Sequence, residues 1–396
     1  MSHTRRHFLK GTLAAASIGG VAMEQASGDT GAGVPDTSAA VSFQRTIPVR
    51  HDVDVFIAGG GPAGVAAAVA AARQGAKVFL IERHNCLGGM GTVGLVPVFM
   101  QFSDGEHFLA AGLGQEIRDQ LTQAGGNAGG NPNSIRAEVL KRVYDDLMLD
   151  AGVSFTFETR LIGVETQGDA VTLAVLAAKS GLFAVRAKVF IDCTGDGDLA
   201  TWAGAPFEQG DENGEVMAGT LCSLWADIDW ERAASGQRGK EEKLVKAIED
   251  GVFTKPDRHL PGIWRVGNEL GGGNIGHTFG VDGTDERSVT EALIWGRKLV
   301  LEYERFYKEY LEGFEHMELA ALGPALGLRE TRRIMGDYVL NLNDFKERAT
   351  FDDEIGRYSY PVDIHASKSG DAAYEKFLKD YKAFRYGKGE NYGIPY

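Results

Sequence analysis

The sequence is poor in cysteine and contains no long apolar run. Its 396 residues include three cysteines, Cys86, Cys193 and Cys222, too few for a disulfide framework or a four-cysteine iron–sulfur cluster. No stretch of about 18 consecutive apolar residues occurs, so we expect no membrane span. The nine histidines show neither HxH nor HExxH spacing, and these patterns therefore predict no metal site.

Basic residues are also fewer than acidic ones. The chain has 41 Lys and Arg against 55 Asp and Glu, which gives a net charge of −14. An acidic surface repels phosphate backbones, so we expect no nucleic-acid partner. The apolar fraction of 43% and the charged fraction of 24% are typical of soluble globular proteins.

Glycine, in contrast, is abundant. The chain has 53 glycines, about 13% of its residues against a usual value of about 7%. They cluster in short loops between apolar segments, which indicates tight backbone turns around a bound ligand.

The N-terminus has the features of an export signal. Arg5 and Arg6 are followed by Phe-Leu-Lys and then by a weakly apolar stretch, as in a twin-arginine signal peptide. We predict a signal over residues 1–26, a flexible linker over 27–50, the twin-arginine export machinery as a partner, and a periplasmic or other extracytoplasmic location. The alternative is a basic, disordered terminus. Twin-arginine export carries folded proteins, which favours a protein that acquires a cofactor before export.

Residues 54–82 have the pattern of a dinucleotide-binding unit. A short apolar strand is followed by the glycine loop, an alanine-rich helix over about 63–74, and a second strand that ends at Glu82. In such a unit the first glycine makes the turn, the second admits the pyrophosphate, the third permits close packing, and the acid binds the ribose. The helix N-terminus attracts the phosphates. The predicted cofactor-binding residues here are Gly59, Gly61, Pro62, Ala63, Gly64, Glu82 and Arg83.

A second glycine pair follows the ribose-binding acid. Gly88, Gly89 and Met90 suit a loop that passes close to a long, extended cofactor, which favours FAD over NAD. Cys86 has no second cysteine at CxxC or CxxxxC spacing, so we do not expect a thiol–disulfide mechanism.

Further elements of the same domain follow residue 130. The pattern predicts a helix capped by Asn133 or Ser134, four strands over 153–158, 161–166, 170–178 and 183–189 in a small antiparallel sheet, and then a strand that ends in a glycine turn. Thr194, Gly195 and Asp196 lie in that turn and are predicted to contact the cofactor. For Asp196 and Asp198 the alternative of capping the next helix is slightly favoured.

Residues 204–345 contain no dinucleotide motif and are predicted to form a cap domain that binds the substrate. His277 lies in a glycine-rich segment and is a candidate acid or base. Arg329, Arg332 and Arg333 are candidates to bind a carboxylate or to stabilise a reduced flavin. The alternatives are a hydrogen-bonded loop histidine and a cluster of salt bridges.

Together these motifs resemble a known family. Residues 52–396 resemble bacterial FAD-dependent oxidoreductases related to the flavoprotein subunit of heterodisulfide reductase and, more distantly, to fumarate reductase and glutathione reductase. The resemblance rests on GGGPAG at 59–64, LIER at 80–83, LGGMGT at 87–92, IDCTGDGDLA at 191–200, GAPFEQG at 204–210, GHTFGVDGT at 276–284, GLRETRRIMGDYVL at 327–340, YPVDIH at 360–365 and YGIPY at 392–396.

The resemblance implies an α/β fold. It implies a Rossmann-type, glutathione-reductase-like FAD-binding domain over 51–203 with an inserted antiparallel sheet, a mixed α+β cap over 204–345, and a return segment over 346–396. Relatives continue beyond this point with a strand and a glycine-arginine turn that approach the flavin, so we expect that final strand to be missing here. The iron–sulfur clusters of the heterodisulfide subunit have no ligands in this sequence.

The expected function is therefore an exported FAD-dependent oxidoreductase. It would transfer two electrons, as a hydride, between flavin and a small polar organic substrate, with an unidentified electron acceptor. Two alternatives remain: an NAD-dependent dehydrogenase, and a non-redox protein that binds the dinucleotide as a structural element.

Overall fold

The computed structural model describes residues 42–396. The predicted signal peptide and linker residues 27–41 lie outside the described residues. Ile47–Tyr396 form one compact unit. The other unit ends at Thr46, and its described residues, 42–46, include no helix or strand. The first strand begins at Val49, two residues before the predicted domain start.

The first half of the chain builds a six-stranded mixed sheet. Its strand order is β3-β2-β1-β6-β5-β4; β1 pairs in parallel with β2 and β6, β2 pairs in parallel with β3, and the remaining pairs are antiparallel. The elements are β1 (Val49–Ala58), α1 (Pro62–Arg73), β2 (Val78–Ile81), α2 (Leu113–Gln123), α3 (Ala137–Asp150), β3 (Ser154–Thr156), β4 (Arg160–Gln167), β5 (Ala170–Ala178), β6 (Gly181–Asp192) and α4 (Asp198–Trp202).

Alternation along the central strands gives this sheet two buried faces. Ile57 and Leu80 belong to the core formed with α1, α2 and α3. Phe56 and Phe79, one residue earlier on each strand, belong to the core on the opposite face. Successive strand side chains point to opposite sides, so burial on both faces explains why these strands are continuous apolar runs.

The antiparallel sheet predicted from the sequence differs from the sheet in the structure. β4, β5 and β6 are antiparallel as expected, but they belong to the same sheet as β1. β3 pairs in parallel with β2 at the opposite edge, because the strand–helix–strand path through α3 returns it in the same direction. The helix begins at Ala137, a few residues after the predicted caps, and ends at Asp150 as expected.

The second half centres on a four-stranded sheet and a long helix. The sheet has the order β11-β8-β10-β9, and Trp225, Phe306 and Tyr307 are fully buried in its core. The elements are β7 (Phe207–Gln209), β8 (Ser223–Ala226), α5 (Trp230–Gly236), α6 (Lys240–Glu249), β9 (Gly262–Arg265), β10 (Gly271–Asn274), α7 (Glu286–Tyr310), β11 (Glu318–Leu322), β12 (Arg332–Ile334), α8 (Leu342–Glu347), β13 (Glu354–Tyr358), α9 (Asp371–Ala383) and β14 (Tyr392–Pro395).

The last fifty residues contact the loop that follows the glycine pair. β13 and β14 form a two-stranded sheet. The Asn391 Nδ2 donates to Asp104 Oδ2 at 2.7 Å, and the Gly389 N–H donates to the Asp104 carbonyl at 2.9 Å. The C-terminal segment thus packs against residues of the predicted FAD-binding domain. Among residues 42–396, no helix combines the length and the apolar character needed to cross a membrane.

Candidate functional site

Three glycines at the junction of β1 and α1, two in the loop and one in the first turn of the helix, have different steric surroundings. Gly59 has φ +104°, and a Cβ there would lie 2.2 Å from the Cys193 carbonyl oxygen. A Cβ on Gly64 would lie 1.9 Å from the Gly59 carbonyl oxygen. Gly61 has φ −66°, and a Cβ there would meet nothing within 4 Å. Gly59 and Gly64 are therefore required by the protein backbone, whereas Gly61 leaves open space beside the helix.

The N-terminus of α1 is open to an anion. Gly61 is its N-cap and makes no side-chain cap, and Pro62 occupies the first turn. The first N–H groups of a helix have no intrahelical partner and form the positive end of its dipole. This geometry suits a phosphate group.

A cavity of about 560 Å³ lies at the carboxyl ends of β1, β2 and β6. Ligands bind at this edge in open parallel sheets. The predicted residues that line it are Gly59, Gly61, Pro62, Ala63, Glu82, Arg83, Gly89, Met90, Thr194 and Gly195. Ten further residues line it: Ala58, Ile81, His84, Thr159, Arg160, Leu161, Asp192, Cys193, Asp198 and Trp202. Asp192, Cys193 and Asp198 belong to the motif at 191–200, but sequence reasoning missed residues such as Thr159, Arg160 and Trp202 because no motif marks them.

Glu82 closes the loop from the end of β2. Its side chain is buried, with 6% exposure. Oε2 accepts from the Gly60 N–H at 2.7 Å and Oε1 accepts from the His84 N–H at 2.8 Å. Each carboxylate oxygen has a further lone pair. The carboxylate can therefore accept hydrogen bonds from ribose hydroxyls while it keeps its bonds to the Gly60 and His84 N–H groups.

Three predicted cofactor-binding residues do not line the cavity: Gly64, Gly88 and Asp196. Gly88 has φ +102°, and its N–H donates to the Gly60 carbonyl at 2.8 Å. It therefore joins the second glycine pair to the first loop. Cys86 is a buried free thiol.

Asp192, rather than Asp196 or Asp198, stabilises the turn after β6. Its Oδ1 accepts from the Thr194 N–H at 2.9 Å, and its Oδ2 accepts from the Ala200 N–H at 2.9 Å. The expectation that Asp196 or Asp198 caps α4 is wrong, because Gly197 is the N-cap and Asp192 accepts the Ala200 N–H in the first turn of α4. Both acids instead point towards residues after Gly327.

Those residues include two of the candidate arginines. Arg332 Nη1 donates to Asp198 Oδ1 at 2.7 Å and to the Asp196 carbonyl at 3.1 Å. Arg333 Nη1 donates to Glu330 Oε2 at 2.9 Å. Both arginines thus form the salt bridges that were the alternative interpretation, and a catalytic role for either stays a prediction.

Arg329 has different surroundings. Its Nη1 donates to the Ala218 carbonyl and, at 3.2 Å, to Thr220 Oγ1. Its charge is close enough to contribute to a lower pKa at His365 and His259. Arg329 is thus a partly buried cation beside a group of histidines.

His277 belongs to that group, with His259 and His365. His277 is 4% exposed, and its Nε2 lies 3.2 Å from His365 Nδ1. The His259 and His277 rings stack, with centroids 4.8 Å apart. Sequence reasoning missed His259 and His365, although each ends an Asp-x-His triplet, 257–259 and 363–365.

Burial lowers the pKa of two of these histidines. It lowers the pKa of His259 to about 3 and is the largest cause of the lowered pKa of His365. For Asp257, burial favours the protonated form, but contacts with His277 and His259 produce a net lowering of the pKa. His259 and His365 are therefore neutral imidazoles, and Asp257 is an ionised carboxylate, near neutral pH.

The Asp196 carboxyl, in the turn after β6, should make the stability of the protein depend on pH. Burial raises its pKa above 3.8, although Arg83 and Thr331 act in the opposite direction. A carboxyl with a raised folded-state pKa binds more protons in the folded state, so its contribution to stability falls as pH rises above about 4. We expect Asp196→Asn, which keeps an acceptor for Thr331, to raise Tm relative to wild type more at pH 7 than at pH 4.

Scanning calorimetry at the two pH values measures this difference. Asp169→Asn, at an exposed loop position, serves as the control and should shift Tm equally at both. An equal shift for Asp196→Asn would contradict the raised pKa.

Most of the chain matches a known protein family. Residues 54–396 match the family described as FAD dependent oxidoreductase. The chain is 29% identical over 241 residues to the thiamine thiazole synthase of Methanococcus aeolicus, which covers 56% of this chain and 81% of that protein. It is 41% identical over 56 residues to the dihydrolipoyl dehydrogenase of Trypanosoma brucei brucei, over 14% of this chain and 12% of that protein.

Solved structures give broader and weaker similarity. A geranylgeranyl bacteriochlorophyll reductase-like protein from Thermoplasma acidophilum has a TM-score of 0.42 at 18% identity, over 70% of this chain and 66% of that chain. The p-nitrophenol 4-monooxygenase of Pseudomonas putida also has a TM-score of 0.42, at 15% identity, over 70% and 67%. The family match spans most of the chain and agrees with the Rossmann-type glycine loop and cavity. The chain therefore belongs to the FAD-dependent oxidoreductase family and is an enzyme with FAD as its cofactor.

Proposed function

We propose that this enzyme transfers two electrons between FAD and a small polar organic substrate that carries an anionic group. On the basis of its sequence motifs, we also propose that the chain is related to the heterodisulfide reductase and fumarate reductase flavoproteins. We propose in addition that it divides into a FAD-binding domain, a cap and a return segment.

The proposal rests on one segment, residues 327–334. At one end Arg329 lies partly buried beside the histidine group. At the other end Thr331 Oγ1 donates to Asp196 Oδ1 at 3.0 Å, and Arg332 contacts Asp198, in the turn that lines the cavity. A short stretch of backbone thus connects a partly buried cation to the cofactor cavity, which supports an anion-binding substrate site beside the cofactor.

The chain's own groups supply binding and orientation. The α1 N-terminus and Gly61 suit the pyrophosphate, and the Glu82 carboxylate suits a ribose. When bound, FAD supplies the two-electron chemistry. Both hydrogen bonds of Arg329 use Nη1, so within residues 42–396 its other N–H groups have no partner. These donors are suited to hold a carboxylate.

Spectroscopy and turnover test this function. We expect purified protein to show flavin absorbance, reversible bleaching by dithionite, and dye reduction with a member of a panel of small carboxylic acids. With that substrate, Arg329→Lys should lower kcat/KM by roughly a hundredfold, since Lys lacks the fork of donors. Arg305→Lys, at an ion-paired surface position of α7, is the control.

Each contrary outcome has a definite meaning. Equal losses for Arg329→Lys and Arg305→Lys would refute the anion-binding role of Arg329. Flavin that bleaches reversibly with no turnover across the panel would refute the substrate class. Protein that retains dinucleotide but shows no redox response would favour a structural role for the cofactor.

We further propose export by the twin-arginine route, from Arg5, Arg6 and the apolar stretch after them. Replacing both arginines by lysine keeps the charge and removes the paired guanidinium groups. We expect the variant to accumulate in the cytoplasm with its FAD bound, as measured by cell fractionation and flavin fluorescence. Unchanged fractionation of the variant would refute this route.

A further inference from the structure

Two carboxylates flank the histidine group. His277 Nδ1 lies 2.8 Å from Asp257 Oδ2, and His365 Nε2 lies 3.5 Å from Asp363 Oδ1. His277 Nδ1 and Asp257 Oδ2 form no hydrogen bond at this distance, and neither atom has another partner within residues 42–396. A neutral imidazole carries one N–H. When both N–H groups are on the carboxylate side, His277 Nε2 and His365 Nδ1 are free to bind a cation.

These two nitrogens are 3.2 Å apart. A proton on either nitrogen makes this contact a hydrogen bond, and with both nitrogens unprotonated the pair can bind one cation. Two imidazole nitrogens on a tetrahedral ion with bonds of about 2.0–2.1 Å lie roughly 3.3 Å apart, close to the observed separation.

His259 supplies a third nitrogen. Its Nε2 is buried and has no hydrogen-bond partner within residues 42–396. The candidate ligand atoms of the three histidines all lie within 4.8 Å of one another.

The surroundings match those of a metal ion. Asp257 also accepts from the His259 backbone N–H, at 3.0 Å, so one carboxylate is in contact with two of the three histidine residues. Phe377 of α9 packs edge-on against the His259 ring at 4.9 Å. The Asp257 and Asp363 carboxylates and the Arg329 guanidinium sum to a charge of −1, which favours a cation at the three imidazole nitrogens.

We propose that His259, His277 and His365 bind a first-row divalent metal ion such as Zn²⁺, with Asp257 and Asp363 orienting the rings. Neutral imidazole is a preferred ligand of Zn²⁺ and its neighbours in the first transition row. Metal binding would engage His277 Nε2, which gives His277 a ligand role in place of the acid–base role predicted from the sequence. Binding of the ion itself does not depend on the proposed oxidoreductase substrate.

The site is tested by metal content and titration calorimetry on the full-length, untagged flavoprotein. After dialysis against a chelator, wild-type protein should take up about one Zn²⁺ per chain and retain it through desalting. X-ray absorption should show imidazole scattering around the zinc. Zn²⁺ uptake that shows no imidazole scattering would overturn the proposal.

Variants separate ligands from positioning residues. His259→Phe keeps an aromatic ring beside Phe377 and removes the nitrogen, and it should lose retained Zn²⁺. Asp257→Asn should bind Zn²⁺ roughly 10–100-fold more weakly, as for other groups that orient a metal-bound histidine. His316→Gln, at an exposed position after α7, is the matched control and should bind as wild type does.

Flavin content and circular dichroism establish that each variant is folded. If His259→Phe loses its flavin, the test rests on Asp257→Asn, which should bind Zn²⁺ more weakly than wild type does. The proposal fails if wild type retains no more Zn²⁺ than His259→Phe does, or if Asp257→Asn and His316→Gln bind Zn²⁺ equally. Either failure would leave a shared proton between His277 and His365 as the explanation of their 3.2 Å contact. Neither would alter the flavin spectrum that tests the oxidoreductase function.

Discussion

Gly61→Ala is expected to lose FAD while the protein stays folded. A Cβ at this position meets nothing within 4 Å, and φ is −66°, which any residue adopts. The protein itself therefore accommodates a methyl group. Alanine is a somewhat poorer N-cap than glycine, at a cost of about 1 kcal/mol or less. The space that the methyl group fills is the space through which a pyrophosphate reaches the N-terminus of α1.

We expect FAD to bind at least about a hundredfold more weakly, which is roughly 2.8 kcal/mol. Fluorescence titration of the apoprotein with FAD measures the affinity. The apoprotein Tm should stay within about 2 °C of wild type, while the rise in Tm on adding FAD should shrink, because a ligand stabilises the folded state it binds.

Gly163→Ala is the matched control. Gly163 lies in β4, and a Cβ there also meets nothing within 4 Å, but it does not line the cavity. Wild-type affinity for FAD in both variants would show that the cofactor does not approach Gly61. A large fall in apoprotein Tm for Gly61→Ala would show that the open space is needed by the fold.

The cofactor-binding end of the fold could be predicted from sequence because its determinants are local. Strand, glycine loop, helix and acid lie within about 30 residues, from β1 to Glu82. Each of these elements follows from short-range pattern and turn chemistry. Gly75 with φ +85° ends α1 as expected.

The residues that contact this end of the fold and the candidate site come from distant parts of the chain and could not be predicted. Asp198 caps no helix because Arg332, 134 residues later, holds its carboxylate. His259 and His365 meet His277 through loops that no periodicity describes. The sheet shows the same limit: β4–β6 have the right strand character and pairing, but strand pattern does not specify that they extend the sheet of β1.

At Gly59, two residues before Gly61, an alanine is expected to destabilise the fold itself. Gly59→Ala should destabilise the apoprotein by about 3 kcal/mol or more. Its φ of +104° lies outside the regions an alanine adopts readily, at a cost of roughly 1–3 kcal/mol. The added Cβ would also lie 2.2 Å from the Cys193 carbonyl oxygen and 2.9 Å from the Thr194 nitrogen. Relief of such overpacking costs about 1–3 kcal/mol more.

Both contacts are with backbone, so no side chain can rotate to relieve them. The Cys193 N–H donates to the Ala58 carbonyl at 2.8 Å, and separating the ends of β1 and β6 would strain this bond. Calorimetry of the apoproteins should show a Tm about 5 °C or more below wild type for Gly59→Ala, against little change for Gly61→Ala and Gly163→Ala. Equal Tm values for Gly59→Ala and Gly61→Ala would mean that the turn is not held by the contact with Cys193. The expected difference between two alanines in one loop separates what glycine does for the fold from what it does for the cofactor.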